Sequence, residues 1–112
     1  MKRREQPEIN LYISRQYYTA HHAFMDAIKN NGNIDSEPLY HCNAKVYKVG
    51  DYIILQSYYT VVAFIDIKKQ LFVDVLRMVY EYTATSAQHI AKFRKKYSNY
   101  FNENNIYTWR DI

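Results

Sequence analysis

Few residues in this sequence have the types and spacing that chemistry requires. Four histidines and one cysteine are its soft metal ligands, and His21 and His22 are adjacent, which points them about 100° apart on a helix. His41 and Cys42 lie near Asp35, but their spacing matches no nucleophile and base signature. Two glycines are too few for a phosphate-binding loop of either common type. We therefore predict a non-enzymatic protein with no catalytic residue, metal site or cofactor.

A short basic segment near the end of the chain is the clearest electrostatic feature. Residues 86–101 contain four Lys or Arg and no Asp or Glu, which accounts for the net charge of +4. Such a segment suits phosphates or an acidic protein groove, but it also suits a solvated helix face whose late cations complement the helix dipole. We predict that these cations bind a partner, protein or nucleic acid: Lys92, Arg94, Lys95 and Lys96.

Tyrosine is unusually abundant, with 13 in 112 residues. Its ring gives contact area at low entropic cost and is enriched at interfaces, although aromatic residues also build strands and cores. Tyr47, Tyr58 and Tyr80 fall in predicted strands, so we predict them as contact residues on an exposed sheet face.

Two amphipathic helices flank the predicted strands. Over residues 8–29 the apolar positions step by one, three or four, which predicts a helix of about 20 residues with this face: Ile9, Ile13, Tyr17, Ala20, Phe24, Ala27 and Ile28. Thr85 and Gln88 form a capping-box pattern that starts a second helix, with His89 in its first turn as a surface or capping residue. The apolar stripe of that helix is Ile90, Phe93, Tyr97 and Tyr100 or Phe101.

Between the helices, residues 45–49, 52–57, 58–67 and 71–80 are rich in β-branched and aromatic side chains, and Gly50-Asp51 is a tight hairpin link. The pattern predicts an antiparallel meander of four strands. We expect one α+β domain over residues 1–112, in the order α-β-β-β-β-α. Both helices would pack on one sheet face, leaving the other partly exposed. A polar surface loop is predicted from about residue 30 to residue 41.

The sequence composition also indicates where the protein is located in the cell and what kind of genome encodes it. A single cysteine excludes an internal disulfide, the charged N-terminal segment lacks the apolar core of a signal peptide, and no run approaches about 18 apolar residues. We predict a soluble protein of the bacterial cytoplasm with no membrane partner. Residues with AT-rich codons outnumber those with GC-rich codons, which indicates an AT-rich bacterial or mobile-element genome.

Two segments resemble a family of short phage and mobile-element proteins of uncharacterised function. Residues 56–66, QSYYTVVAFID, are similar to that family's S-Y-x-T-x-V-A-x-I-D strand, and residues 80–93, YEYTATSAQHIAKF, are similar to its aromatic strand end and T-T-S-x-H-I helix start. The resemblance implies a phage origin. Small phage domains of this size include anti-CRISPR proteins, so it implies a stoichiometric inhibitor that binds a host protein or ribonucleoprotein effector, such as a CRISPR–Cas nuclease.

Three other functions remain open at this stage. The basic helix also suits a small nucleic-acid-binding protein, whose binding would fall steeply with salt. A ribonuclease-type toxin shares the basic and aromatic composition. An assembly protein would use the aromatic sheet face as a contact between copies, and the sequence leaves the oligomeric state undetermined.

Overall fold

The computed structural model describes residues 6–31, 36–39, 43–58, 60–75 and 84–107 of the chain. Its elements are α1 (Gln6–Asn31), β1 (Ser36–Pro38), β2 (Ala44–Val49), β3 (Tyr52–Ser57), β4 (Thr60–Asp66), β5 (Leu71–Asp74), α2 (Ala84–Lys96), a 3-10 turn (Ser98–Tyr100) and β6 (Ile106–Tyr107). The strands form one six-stranded sheet in chain order. Neighbours are antiparallel except β5 and β6, which are parallel.

The predicted α+β class is confirmed, and the four predicted strands correspond roughly to β2, β3, β4 and β5. The strand count is wrong because β1 and β6 were not predicted as strands. They contain three and two residues, too few for a periodic pattern to identify. β1 lies inside the predicted surface loop, where Pro38 pairs with Lys45. The predicted strand end at residues 76–80 lies outside the described residues.

The two helices pack on opposite faces of the sheet, so the prediction that both cover one face is wrong. On one face Ile13 and Phe24 of α1 share a core with Ile54 and Phe64. On the other, Phe93 of α2 belongs to a separate core that includes Leu55, Ile65 and Phe72. Central strands with apolar residues on both sides need cover on both sides, because either bare face would expose them to water.

Each helix buries most of its predicted stripe. Ile13, Tyr17, Ala20 and Phe24 are buried on α1, but Ile28, predicted on the same face, is 39% exposed. In α2 and the segment that follows it, these residues of the predicted stripe are buried: Ile90, Phe93, Tyr97 and Phe101. Of the two alternatives predicted for the end of the stripe, Phe101 is buried and Tyr100, in the 3-10 turn, is exposed. Phe101 packs in the core against Phe72, with 5.0 Å between the centroids of the two rings.

Candidate functional site

The predicted basic surface on α2 is partly neutralised by acidic neighbours. Arg94 forms a 3.0 Å salt bridge with Glu103, and Lys96 Nζ lies 3.8 Å from a carboxylate oxygen of Glu37. Lys92 and Lys95 are exposed and form no salt bridge within the part of the chain that the structure describes. The structure thus places all four cations on one helix but leaves two of them for an external anion.

Glu37 ties the edge strand β1 to the end of α2. Its carboxylate accepts a hydrogen bond from Tyr97 Oη. That hydrogen bond, with the nearby positive charges of Lys96 and Lys48, lowers the pKa of Glu37 below its ordinary value, although partial burial opposes the shift. Lys96 also lies 5.6 Å from the centre of the Tyr97 ring. At least one cation of the basic surface therefore has a structural role.

Tyr47 does not lie on a bare sheet face as predicted. It is half-buried on the α1 side, where the Phe24 ring meets it edge-on with 4.9 Å between centroids. Its hydroxyl donates a 3.1 Å hydrogen bond to Gln56 Oε1. The prediction for Tyr80 falls outside the described residues.

Tyr58 stands at the tip of the hairpin between β3 and β4. Its side chain is 45% exposed, and its backbone has a φ of 55°. A bulky residue in this left-handed region costs roughly 1–2 kcal/mol relative to ordinary backbone, which is why Asn and Gly are preferred there. A 2.8 Å hydrogen bond from its backbone N to the Asn43 carbonyl holds the position. The sequence therefore keeps an exposed ring at a position that disfavours it.

A buried polar cluster joins the start of α2 to the end of β3. Ser57 Oγ lies 2.8 Å from His89 Nδ1 and 3.1 Å from Ser86 Oγ. His89 is only 2% exposed, so its predicted surface position is wrong. Burial, reinforced by the positive charge of Lys92, lowers the pKa of His89 and favours the neutral ring. The Tyr58 ring lies 5.8 Å from that of His89 between centroids, at 45°.

The cluster resembles the hydroxyl and imidazole half of a hydrolytic site, but its burial argues for a structural role. Ser57 and Ser86 are 3% and 1% exposed, so a substrate has no approach to either hydroxyl. Satisfied hydrogen bonds between buried groups fix one arrangement of α2 on the sheet.

A second surface, on the outer side of α1, was missed at the sequence level. Leu11, Tyr18 and Met25 are seven positions apart and are 53%, 59% and 47% exposed. Seven residues are close to two helical turns, so the three side chains form a row about 21 Å long. We call these three residues the apolar row. Its signal was present in the sequence as a seven-residue repeat offset from the buried stripe.

A basic row follows the apolar row at a constant offset. Arg15, His22 and Lys29 each come four positions after a member of the apolar row, and all three are exposed. Side chains four apart are neighbours on a helix, so each apolar residue has a basic or imidazole group beside it. We call Arg15, His22 and Lys29 the basic row. The two rows give one flank of α1 a repeating apolar and polar edge.

Other chemistry finds little support among the described residues. They contain no group of three or more His, Cys, Asp and Glu side chains able to hold a metal ion; His41 and Cys42 lie outside them. None of the helices they form is long and apolar enough to cross a membrane. Comparison with known proteins found no protein family, curated protein or solved structure that matches the chain.

Proposed function

We propose that this chain is a non-enzymatic binding protein that docks the outer flank of α1 into an apolar groove on a partner protein. The observation that carries the proposal is the apolar row of Leu11, Tyr18 and Met25, each about half exposed. Tyrosine and methionine are enriched at protein interfaces, and helices dock into grooves through side chains spaced in this way. The opposite side of α1 is already committed to the core.

The basic row indicates which charge the rim of the partner's groove should carry. Arg15 and Lys29 lie beside the two ends of the apolar row, and neither forms a salt bridge within the described chain. A partner with carboxylates along the groove edge would pair with them and fix the register of the helix. An uncharged or basic rim would leave both cations desolvated and unpaired, which is costly.

The surface of α2 is less suited to be the main contact. Arg94 and Lys96 already have carboxylate partners, so a phosphate backbone would have to compete with Glu103 and Glu37. A ribonuclease that used His89 as its general base would need that ring to be accessible, whereas His89 is buried. Both considerations support protein binding over the nucleic-acid and toxin alternatives.

Within this proposal, the partner class is the one predicted from the sequence, a host defence effector such as a CRISPR–Cas nuclease. A helix presented on a rigid sheet suits a stoichiometric inhibitor, because little ordering is needed when it binds. Such an inhibitor would abolish effector activity at about one chain per effector site, without turnover.

A matched pair of substitutions on α1 tests the proposal. Tyr18→Glu places a negative charge in the centre of the apolar row, and Thr19→Glu places it about 100° around the helix, at another exposed position. The wild-type chain and Thr19→Glu should capture the same partner from nuclease-treated bacterial lysate and inhibit it when purified. Tyr18→Glu should weaken both by at least about tenfold, since buried aromatic anchors dominate interface energy.

Two outcomes would contradict this proposal. Equal capture and inhibition by Tyr18→Glu and wild type would remove the apolar row from the interface. A wild-type dimer that Tyr18→Glu converts to a monomer, measured as mass in solution, would show that the row serves a second copy of this chain.

A further inference from the structure

We propose that the pocket beside the β3–β4 hairpin binds a nucleotide unit, meaning a planar base that carries a phosphate. This site lies away from the flank of α1 and does not depend on the protein-binding function. The pocket has a volume of about 460 Å³, within the range of small-molecule sites, and it is lined by Pro38, Asn43, Ala44, Lys45, Tyr47, Gln56 and Tyr58.

The floor of the pocket is a single row across three strands. Pro38 of β1 pairs with Lys45 of β2, and Lys45 pairs with Gln56 of β3. Adjacent strands are about 4.8 Å apart, so this row spans roughly 10 Å, enough for a base and its sugar. None of the described residues of α1 lines the pocket, and Tyr47 marks its boundary with the helix because Phe24 packs against that ring.

Two side chains of the pocket, Gln56 and Lys45, offer hydrogen-bond donors. Gln56 Oε1 accepts a hydrogen bond from Tyr47, which leaves the Gln56 amide nitrogen as a donor with no acceptor among the described residues. Lys45 is exposed and forms no salt bridge in the described chain, and the Asn43 side chain is also exposed. No lining residue is acidic. A ligand that fits must be rich in acceptors and negatively charged.

Tyr58 supplies the surface for a planar ring. It is 45% exposed and has a φ of 55°, a left-handed conformation that is uncommon for tyrosine. Aromatic rings beside cations are the usual means of binding a nucleobase and its phosphate together. In the proposed complex, Tyr58 stacks on the base and Lys45 binds the phosphate. Gln56 donates a hydrogen bond to a base or sugar oxygen.

The nucleotide unit could be free or part of a single strand, and Lys92 separates the two sources. The positive charge of Lys92 acts on His89, and the His89 ring lies 5.8 Å from that of Tyr58 between centroids. Lys92 does not line the pocket, so we expect a free mononucleotide to bind without it, whereas a strand that continues past Tyr58 has further phosphates for Lys92 to contact.

The test is calorimetric titration of the full chain with adenosine and uridine monophosphates and with single-stranded hexathymidylate and hexauridylate. Tyr58→Asn removes the ring but keeps a residue that tolerates positive φ, so folding should be preserved or improved. It should weaken binding about 5- to 100-fold, the usual effect of losing one stacked base, while Tyr58→Phe keeps it. Lys45→Ala should weaken binding about tenfold or more, unlike Lys68→Ala in the exposed turn after β4.

Each pattern of results decides the question. Binding of mononucleotides that is unaffected by Lys92→Ala assigns a free nucleotide, and hexanucleotide binding that Lys92→Ala weakens assigns a strand. No saturable binding of any of the four probes would overturn the site. Binding that Tyr58→Asn and Lys45→Ala leave unchanged, while thermal unfolding confirms that both variants fold, would overturn it equally.

Discussion

The two helices cover the same sheet by different means. The described core between α1 and the sheet consists of apolar and aromatic side chains, and α1 also carries the exposed apolar row on its outer flank. α2 combines aromatic packing with a buried hydrogen-bonded cluster of Ser57, Ser86 and His89, and its outer surface is basic. Apolar packing tolerates small shifts, whereas buried hydrogen bonds do not, so α2 is fixed in position more specifically than α1.

The contacts beneath α2 and the outer flank of α1 therefore serve different purposes, the first for stability and the second for recognition. A polar cluster beneath α2 specifies one orientation of the helix and holds Tyr58 against its start. The α1 interface has no such cluster among the described residues, and its free flank is the better-suited surface for a protein partner. We expect substitutions beneath α2 to change which structure forms and those on the outside of α1 to change what binds.

The largest expected effect comes from truncating one aromatic ring in each core. Phe93→Ala beneath α2 and Phe24→Ala beneath α1 should each lower the free energy of unfolding by about 3–5 kcal/mol, because both rings are buried in well-packed contacts. Chemical denaturation monitored by circular dichroism measures the loss. A negligible effect of Phe24→Ala alone would mean that α1 is not an essential layer.

A smaller loss should follow from removing the hydroxyl at the centre of the polar cluster. Ser57→Ala leaves His89 Nδ1 and Ser86 Oγ without this partner, which should cost about 1–3 kcal/mol in unfolding free energy. Ser98→Ala, an exposed serine just after α2, should change stability by less than about 0.5 kcal/mol. Equal effects of the two substitutions would show that the cluster does not specify the position of α2.

Acidification should weaken the attachment of α2. The native pKa of His89 lies below its ordinary value of 6.5, so the folded state binds fewer protons than the unfolded state between those two values. Stability from the neutral ring is complete above about pH 6.5 and is lost as pH falls through the native pKa. Unfolding free energies measured between about pH 7.5 and about pH 5 should show this decline, and His89→Gln should flatten it. An identical slope in wild type and variant would assign the decline to other groups.

The smallest expected effect concerns the link between β1 and α2. Glu37→Gln keeps a hydrogen-bond acceptor for Tyr97 but removes the attraction to Lys96, so stability should fall by less than about 1 kcal/mol. The loss should shrink further in high salt because these side chains are partly exposed. Thermal unfolding at low and high ionic strength checks both statements. A large loss that is independent of salt would contradict this expectation, and it would indicate that the amide does not replace the carboxylate as the acceptor for Tyr97.

Local periodicity was sufficient to predict most of the secondary structure. The buried residues Ile13, Tyr17, Ala20 and Phe24 recur at helical spacing, so α1 was predictable. Gly50 takes a φ of 56° in the tight turn that its Gly-Asp pair predicted. Periodicity did not find β1, which is a strand because Glu37 and Pro38 pair with β2 and not because of their own pattern.

The site predictions also succeeded where local sequence was sufficient and failed where contacts between elements decided the outcome. Sequence identified the four cations of α2, but the pairing of Lys96 with Glu37, which lies far away along the chain on β1, was not predictable from local pattern. Glu103 is close to Arg94 in sequence, but their contact depends on how the chain turns after α2. His89 was misplaced because a histidine in a polar helix start is usually exposed, and only contact with Ser57 from another element explains its burial.

The sequence by itself determined the fold class of this protein, the presence of both helices, the central strands and the absence of an internal disulfide, because each depends on residues close together in the chain or on composition. The tertiary structure alone decided that the helices lie on opposite faces, which charges are neutralised, and that Tyr47 and Tyr58 line one pocket. Those features depend on contacts between distant segments, and their free energies are set by burial and geometry that local patterns do not encode.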